Sequence, residues 1–479
     1  MSKSATKSVF WSAIERFSVQ GIQFVLSIIL ARLVTPYDYG LIAMMAIFIS
    51  ISTSLVDSGF SLALIQRQDR NENDFSTAFY YNVFLSIVLY SLIFFCSPLI
   101  ADFYNEPLLC TLLKFSGLNV IISAFSMVQK AKLTINLDFK SQAKYSFISV
   151  LIGGIVGVVL AYNGAGVWAL VFQSLLSSIL NVIFLNIVVK WKPLLVFSND
   201  SFKKLFFFGS KLMASGLLNT IYLNLYSLVI GKFYNASDVG YYNRAYNFSQ
   251  FPSVNIVSII ARAMYPIQCQ HQDDRVKLRD IVMKDLRATC FIVFPLMIGL
   301  ATMSNQVVIC LLTEKWSNSI VPLSILSIAY MLYPLMLINN QIIYVCGRSD
   351  LFLKAEIIKK IVAVIFLATA VNFGLHALCY SILIYNIFDT IIIVYYENKV
   401  IKLPLFEQFK NLFPIICVSV GMGVVVYLSS HFIFSGYSLS SLISPILLGV
   451  ISYSILCYLF NIDEFNILIN KIKTKCLTK

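Results

Sequence analysis

Seven ionisable side chains lie within stretches that are otherwise apolar: Glu15, Arg16, Asp57, Lys211, Arg244, Arg262 and Asp389. In hydrocarbon each such group costs at least ~2.5 to 3.5 kcal/mol on insertion scales, so each needs a partner, a wet cavity or a route to the interface. An acid and a base on neighbouring helices can pair, as Arg16 with Asp57 or Lys359 with Asp389. Two cations at one depth cannot, and Lys211 and Arg262 are such a pair, equidistant from a turn near residue 236. At 1.5 Å per residue Arg16 lies about 25 Å, and Lys211 and Arg262 about 28 to 31 Å, from the outer boundary, so they rim the inner mouth. A phosphate between them would satisfy both through charge-assisted hydrogen bonds. Snorkelling to the headgroups explains the same depth, and both readings stay open here.

A second set is polar but uncharged. Asn243, Asn247 and Gln250 follow i, i+4, i+7 and share one helical face, in a stretch that also carries Tyr242 and Arg244. Asn219 and Asn224 precede it, Asn340 follows it, and Gln173 and Asn181 stand in the sixth stretch. Hydroxyls, amides and aromatic faces are what a sugar needs. Helix-to-helix hydrogen bonds use the same residues at ~0.6 to 2 kcal/mol each. Their concentration on a few spans favours a hydrated cavity for a large, polar, anionic substrate. Glu15 and Asp57 are the acids placed to carry a coupling ion.

Nothing else in the chain suggests catalysis. There is no nucleotide-binding glycine loop. Cys96 through Cys476 are scattered singly with no C-x-x-C, and His271, His376 and His431 have no metal-site spacing. No cofactor and no metal are expected.

The elements that must hold these residues are membrane helices. The 479 residues are 58% hydrophobic and 12% charged, with a mean hydropathy of +0.80, too apolar for soluble domains. About fourteen stretches, from Val9–Leu33 to Leu439–Phe460, are long enough to cross a bilayer as helices. Most Lys and Arg fall on alternate loops, which places both termini in the cytoplasm and explains the net charge of +13 without nucleic acid. The first stretch contains Glu15 and Arg16 and is too long for a signal peptide. The longest polar connection, Gln268 to Arg287, reads as a mixed-charge surface helix.

The chain repeats itself at an offset of 200 residues. Ser27-Ile28-Ile29-Leu30-Ala31-Arg32-Leu33 aligns with Ser227-Leu228-Val229-Ile230-Gly231-Lys232-Phe233, and Asp38-x-Gly40 returns as Asp238-x-Gly240. Gly166-Val167-Trp168-Ala169-Leu170 is echoed by Gly374-Leu375-His376-Ala377-Leu378. Duplication predicts two six-helix lobes, 1–200 and 201–400, in the same orientation, plus two helices and a basic cytoplasmic tail in 401–479. Such lobes rock around a central site in alternating access.

The run Leu30-Ala31-Arg32-Leu33-Val34-Thr35-Pro36-x-x-Tyr39-Gly40, with Asp57-Ser58-Gly59-Phe60-x-x-Ala63-Leu64-Ile65-Gln66, resembles the polysaccharide transporter family of lipid-linked oligosaccharide flippases, notably its Wzx and colanic-acid-exporter-like branch. Gly240-Tyr241-Tyr242-Asn243-Arg244-Ala245-Tyr246, Phe251-Pro252 and Glu314-Lys315-Trp316 carry the resemblance through the second half. It implies a MATE-like fold in a bacterial inner membrane. It also implies movement of undecaprenyl-diphosphate-linked sugar units to the outer leaflet for O-antigen, capsule or exopolysaccharide synthesis, alongside polymerases and glycosyltransferases. By the same resemblance Arg16, Lys211, Arg244 and Arg262 are the cations expected to hold the diphosphate. An ion-coupled multidrug antiporter of the same superfamily is the alternative, though it would want a buried acid for a cationic drug. A membrane-embedded polymerase or ligase would instead carry a long outward loop with catalytic Arg or His.

Overall fold

The computed structural model describes the backbone of residues 3–57, 59–433 and 436–477 and, within these, side chains from residue 18 to residue 470 except residue 211. Every regular element among the described residues is helical. Among the described residues ten helical segments are long and apolar enough to cross a membrane, eleven when a pair bent by 72° is taken as one span. Packing divides the chain into two compact units, Met1–Gly240 and Tyr241–Lys479.

The first unit runs α1 (Lys3–Leu33), α2 (Pro36–Asp57), α3 (Phe60–Gln66), α4 (Glu72–Tyr104), α5 (Leu108–Ser116), α6 (Leu118–Ala124), α7 (Met127–Ile135), α8 (Phe139–Tyr162), α9 (Val167–Val189) and α10 (Asn199–Phe233). Two expected spans are therefore broken, one into α2 and α3, the other into α5, α6 and α7. Helix starts are written in the sequence: Asn71 and Asp74 close a capping box on α4, and Asp138 and Ser198 accept from Ser141 and Ser201 to cap α8 and α10. On α4 the burial pattern is the reverse of a soluble helix. Phe84, Phe95 and Leu99 are exposed while Asp74, Asn82, Ser86 and Ser97 are buried, as expected where the surrounding solvent is lipid. The repeat makes α10 the counterpart of α1, yet α10 packs along α2, α3 and α4 within the first unit.

The chain continues through α11 (Ala236–Gln270), α12 (Arg275–Thr302), α13 (Ser304–Leu312), a 3-10 turn (Glu314–Ser319), α14 (Ile320–Met331), α15 (Tyr333–Val345), α16 (Ser349–Ala370), α17 (Leu375–Ile401), α18 (Leu405–Leu428), α19 (Leu439–Leu459) and α20 (Asp463–Leu477). The surface helix expected between Gln268 and Arg287 is not a separate element. Only residues 271–274 leave the helix, and Asp274 caps α12 by accepting from Lys277, so the mixed-charge segment is the opening of a span. Its apolar face, Leu278, Val282 and Leu286, is buried, while Arg279 pairs with Glu407 and Arg287 with Asp463 and Glu464. Helices α18 and α19 lie against α12 in this unit.

The repeat has a structural counterpart in its turns. Thr35 and Asp38 form reciprocal hydrogen bonds at the start of α2, and Asn235 and Asp238 do the same at the start of α11. Gly166 and Gly374, from the weaker echo, both hold positive φ, 53° and 94°, immediately before α9 and α17.

Candidate functional site

Within the first unit a cavity of about 660 Å³ opens between α1, α2, α6, α7, α8 and α9. Glycines on α8 let the helices come this close. A Cβ on Gly153 would stand 2.0 Å from Ser177 Oγ on α9, one on Gly157 2.8 Å from Gln173 Cβ, and one on Gly154 2.2 Å from Leu26 Cδ1 on α1. Small residues four apart allow such contact where membrane helices pack. The facing polar side chains then line one space: Gln23 and Ser27 of α1, Ser126 just before α7 and Lys130 of α7, Gln142 and Ser146 of α8, Gln173 and Asn181 of α9.

Three of the lining residues are hydrogen-bonded, two of them to each other and the third to Asn119 of α6. Asn181 Nδ2 donates to Ser146 Oγ at 3.1 Å, and Ser174 Oγ accepts from Asn119 Nδ2 at 3.3 Å. Gln142 Oε1 is buried with no hydrogen-bond partner, an acceptor left for a donor that enters the cavity. Lys130 supplies the cation, and among the described residues no acid lines the space. A site of this size with hydroxyls, amides and one ammonium suits a polyhydroxylated group bearing negative charge.

In the second unit the polar segment of α11 forms an aromatic ladder. The Arg244 guanidinium lies 5.3 Å from the ring centre of Trp316, which is wholly buried. Tyr242 and Tyr246 are 5.7 Å apart, Tyr246 and Tyr330 5.7 Å, and Tyr330 and Tyr333 6.4 Å, while Gln250 Nε2 donates to Tyr246 at 3.1 Å. Arginine stacked on indole is held in one plane, with its body packed against protein.

The expected site residues are thus distributed. Glu15, Arg16 and Lys211 have side chains outside the described residues. Arg262, Asn219, Asn247 and Asp57 are exposed, Arg244 and Tyr242 are buried, and Asn243 and Asn340 are half-buried, with Asn340 Oδ1 lacking a partner. Asn224 donates to Thr220 O and to Ser50 Oγ on α2. The expected pair of Lys359 with Asp389 is present at 3.1 Å, and Glu356 joins it at 2.5 Å. Sequence reasoning missed the buried acids Asp285 and Glu397, because both sat at the edges of assigned spans. It also passed over Gly153-x-x-x-Gly157, the one signal that could have located the cavity.

With this geometry in hand, a family model for "Polysaccharide biosynthesis protein" matches residues 29–321. The chain belongs to that family. Among curated relatives, the teichuronic acid biosynthesis protein TuaB of Bacillus subtilis is 26% identical over 95% of each chain. The lipopolysaccharide biosynthesis protein WzxC of Escherichia coli is 29% identical over 73% of this chain and 71% of its own. The lipid II flippase MurJ, in an inward closed conformation, superposes with a TM-score of 0.73 at 16% identity, over 95% of this chain and 99% of its own; that likeness is one of fold. This family member is a multi-pass membrane protein, helical throughout its regular elements among the described residues, and it is also 25% identical to the succinoglycan biosynthesis transport protein ExoT of Rhizobium meliloti over 68% of this chain and 66% of its own.

Proposed function

We propose that the protein moves polyprenyl-diphosphate-linked oligosaccharide units, of the undecaprenyl type, from the cytoplasmic to the outer leaflet of a bacterial inner membrane for cell-surface polysaccharide synthesis. The observation that carries this reading is the cavity whose described polar lining is hydroxyls, amides and Lys130, with no acid among the described lining residues, which suits an anionic saccharide better than a cationic drug. The names of two curated relatives, of teichuronic acid and lipopolysaccharide biosynthesis, support it. On this reading fourteen helices cross the membrane. Beyond the eleven that pass by length and hydropathy, α1, α11 and α16 complete the count. The last two are made polar by Asn243, Arg244 and Gln250, and by Lys354, Glu356 and Lys359. Both termini are cytoplasmic, and two lobes alternate access without covalent chemistry. In the first unit Arg16 and Lys211 engage the diphosphate and the cavity residues the sugars; Arg262, exposed in the second unit, is the further candidate cation, and Arg244, buried on Trp316, is not.

Deleting the gene in its own host should abolish surface polysaccharide and accumulate lipid-linked units on the cytoplasmic side. Restoring the wild-type chain should reverse both, and Lys130→Glu, inserted normally, should restore little. Undiminished surface polysaccharide after deletion would remove the proposal.

A further inference from the structure

At one end of the second unit an acid sits where its surroundings offer a single, shared hydrogen-bond donor. Glu397 on α17 is fully buried, amid the apolar cluster that includes Val394, Val400, Ile401 and Leu403. Its Oε2 has one long contact, 3.4 Å from Gln408 Nε2 on α18, and its Oε1 has no partner. Gln408 is overcommitted, since the same nitrogen lies 3.0 Å from Asn339 Oδ1 and 3.4 Å from Leu403 O. Two N–H protons thus face three acceptors. Asn339 on α15 offers no relief, because its own two go to Gln408 Oε1 at 3.0 Å and Leu335 O at 2.8 Å.

Charge does not fill the gap either. Arg279 on α12, the cation whose field reaches Glu397, is ion-paired to Glu407 of α18. Arg275, Asp273, Cys269 and Glu397 all act electrostatically on Cys346, Arg279 is the charged group that acts on Glu397, and Lys359 on α16 is held by Glu356 and Asp389. A bare carboxylate at Glu397 would have neither water nor a counter-ion.

We infer that Glu397 is a proton-binding site, occupied in this fold as the neutral carboxylic acid, which needs neither a counter-ion nor a second donor from the Asn339–Gln408 cluster. The proton comes from water, an O–H bond forms on one carboxylate oxygen, and it is given back when α15, α17 and α18 part and water reaches the oxygen. Proton binding and the packing of these three helices are then one equilibrium. The inference holds for this fold whatever the protein carries.

Glu397 is the one buried glutamate among the described residues, so carbon-13 labelling of glutamate carboxyls makes it visible by infrared spectroscopy of the full chain in lipid. The expected result is an isotope-shifted carboxylic-acid band at neutral pH that disappears on alkaline titration and is absent in Glu397→Gln. No such band in the wild type, or a band that Glu397→Gln retains, would overturn the assignment. Should that variant fail to fold, Gln408→Leu serves: loss of the amide beside Oε2 should shift the band, and an unmoved band counts against the site. By linkage, a proton held when folded and released when unfolded makes stability fall as pH rises. Wild type should therefore lose more melting temperature than Glu397→Gln between neutral and alkaline pH, and parallel losses would contradict the proposal.

Discussion

Gly40 and Gly240 occupy equivalent places in the two repeats, and each presses on the helix that begins beside the other. A Cβ on Gly40 would stand 1.6 Å from the carbonyl oxygen of Ala236, and one on Gly240 2.0 Å from that of Pro36. Pro36 and Ala236 are themselves 200 residues apart and open α2 and α11. The first turns of the two helices therefore touch backbone to backbone, and each glycine is required by the other's turn.

Gly40→Ala and Gly240→Ala should each lower the melting temperature. Helix propensity alone favours alanine by about 1 kcal/mol, but overpacking typically costs about 1 to 3 kcal/mol, and here the obstacle is carbonyl oxygen that cannot rotate aside. Thermal unfolding in detergent measures the balance. Wild-type stability in both variants would mean the two turns separate at no cost.

Lys359, 7% exposed, sits between Asp389, 8% exposed, and Glu356. Lys359→Met leaves two acids facing each other and should destabilise by about 3 to 5 kcal/mol, the usual cost of breaking a buried pair from one side. Adding Asp389→Leu should recover part of that loss. A double variant less stable than the single one would contradict the pairing.

Leu26 and Gly154 form a lock between α1 and α8, with Leu26 Cδ1 2.2 Å from where a Cβ on Gly154 would lie. Gly154→Ala should destabilise by about 1 to 3 kcal/mol. Leu26→Ala should cost about 2 to 5 kcal/mol, as buried leucines do. Combined, the two should be less than additive by about 0.5 to 3 kcal/mol, because the new methyl enters the space the leucine left. Strict additivity in the double-mutant cycle would place the two residues out of contact.

Trp316→Ala removes a wholly buried ring and should cost about 3 to 5 kcal/mol. Arg244→Lys keeps the charge but loses the planar stacking on Trp316, so tryptophan fluorescence should shift while charge is conserved. An emission spectrum identical to wild type would show that Arg244 leaves that ring in solution.

Of the charged residues singled out from sequence, the pair Lys359 and Asp389 was legible, because each acid within a span must find a base at its own depth and few candidates exist. Glu397 and Asp285 were not. An acid at the end of an apolar run looks the same whether the helix ends there or continues, and α12 and α17 both continue past the point where hydropathy falls. Asn181 and Gln173 were marked as polar, but only the seam made by Gly153 and Gly157 shows that they face Lys130 across a cavity.

The amino-acid sequence by itself determined the apolar spans, the alternation of basic loops, the 200-residue duplication and the family, since these depend on composition and order within short windows. Tertiary structure alone decided that α10 packs with the first unit, that Arg244 meets Trp316, and that Gln408 must serve three acceptors with two protons. Most of those relations join residues tens to hundreds of positions apart, fixed by which helix faces meet, and no local pattern encodes them.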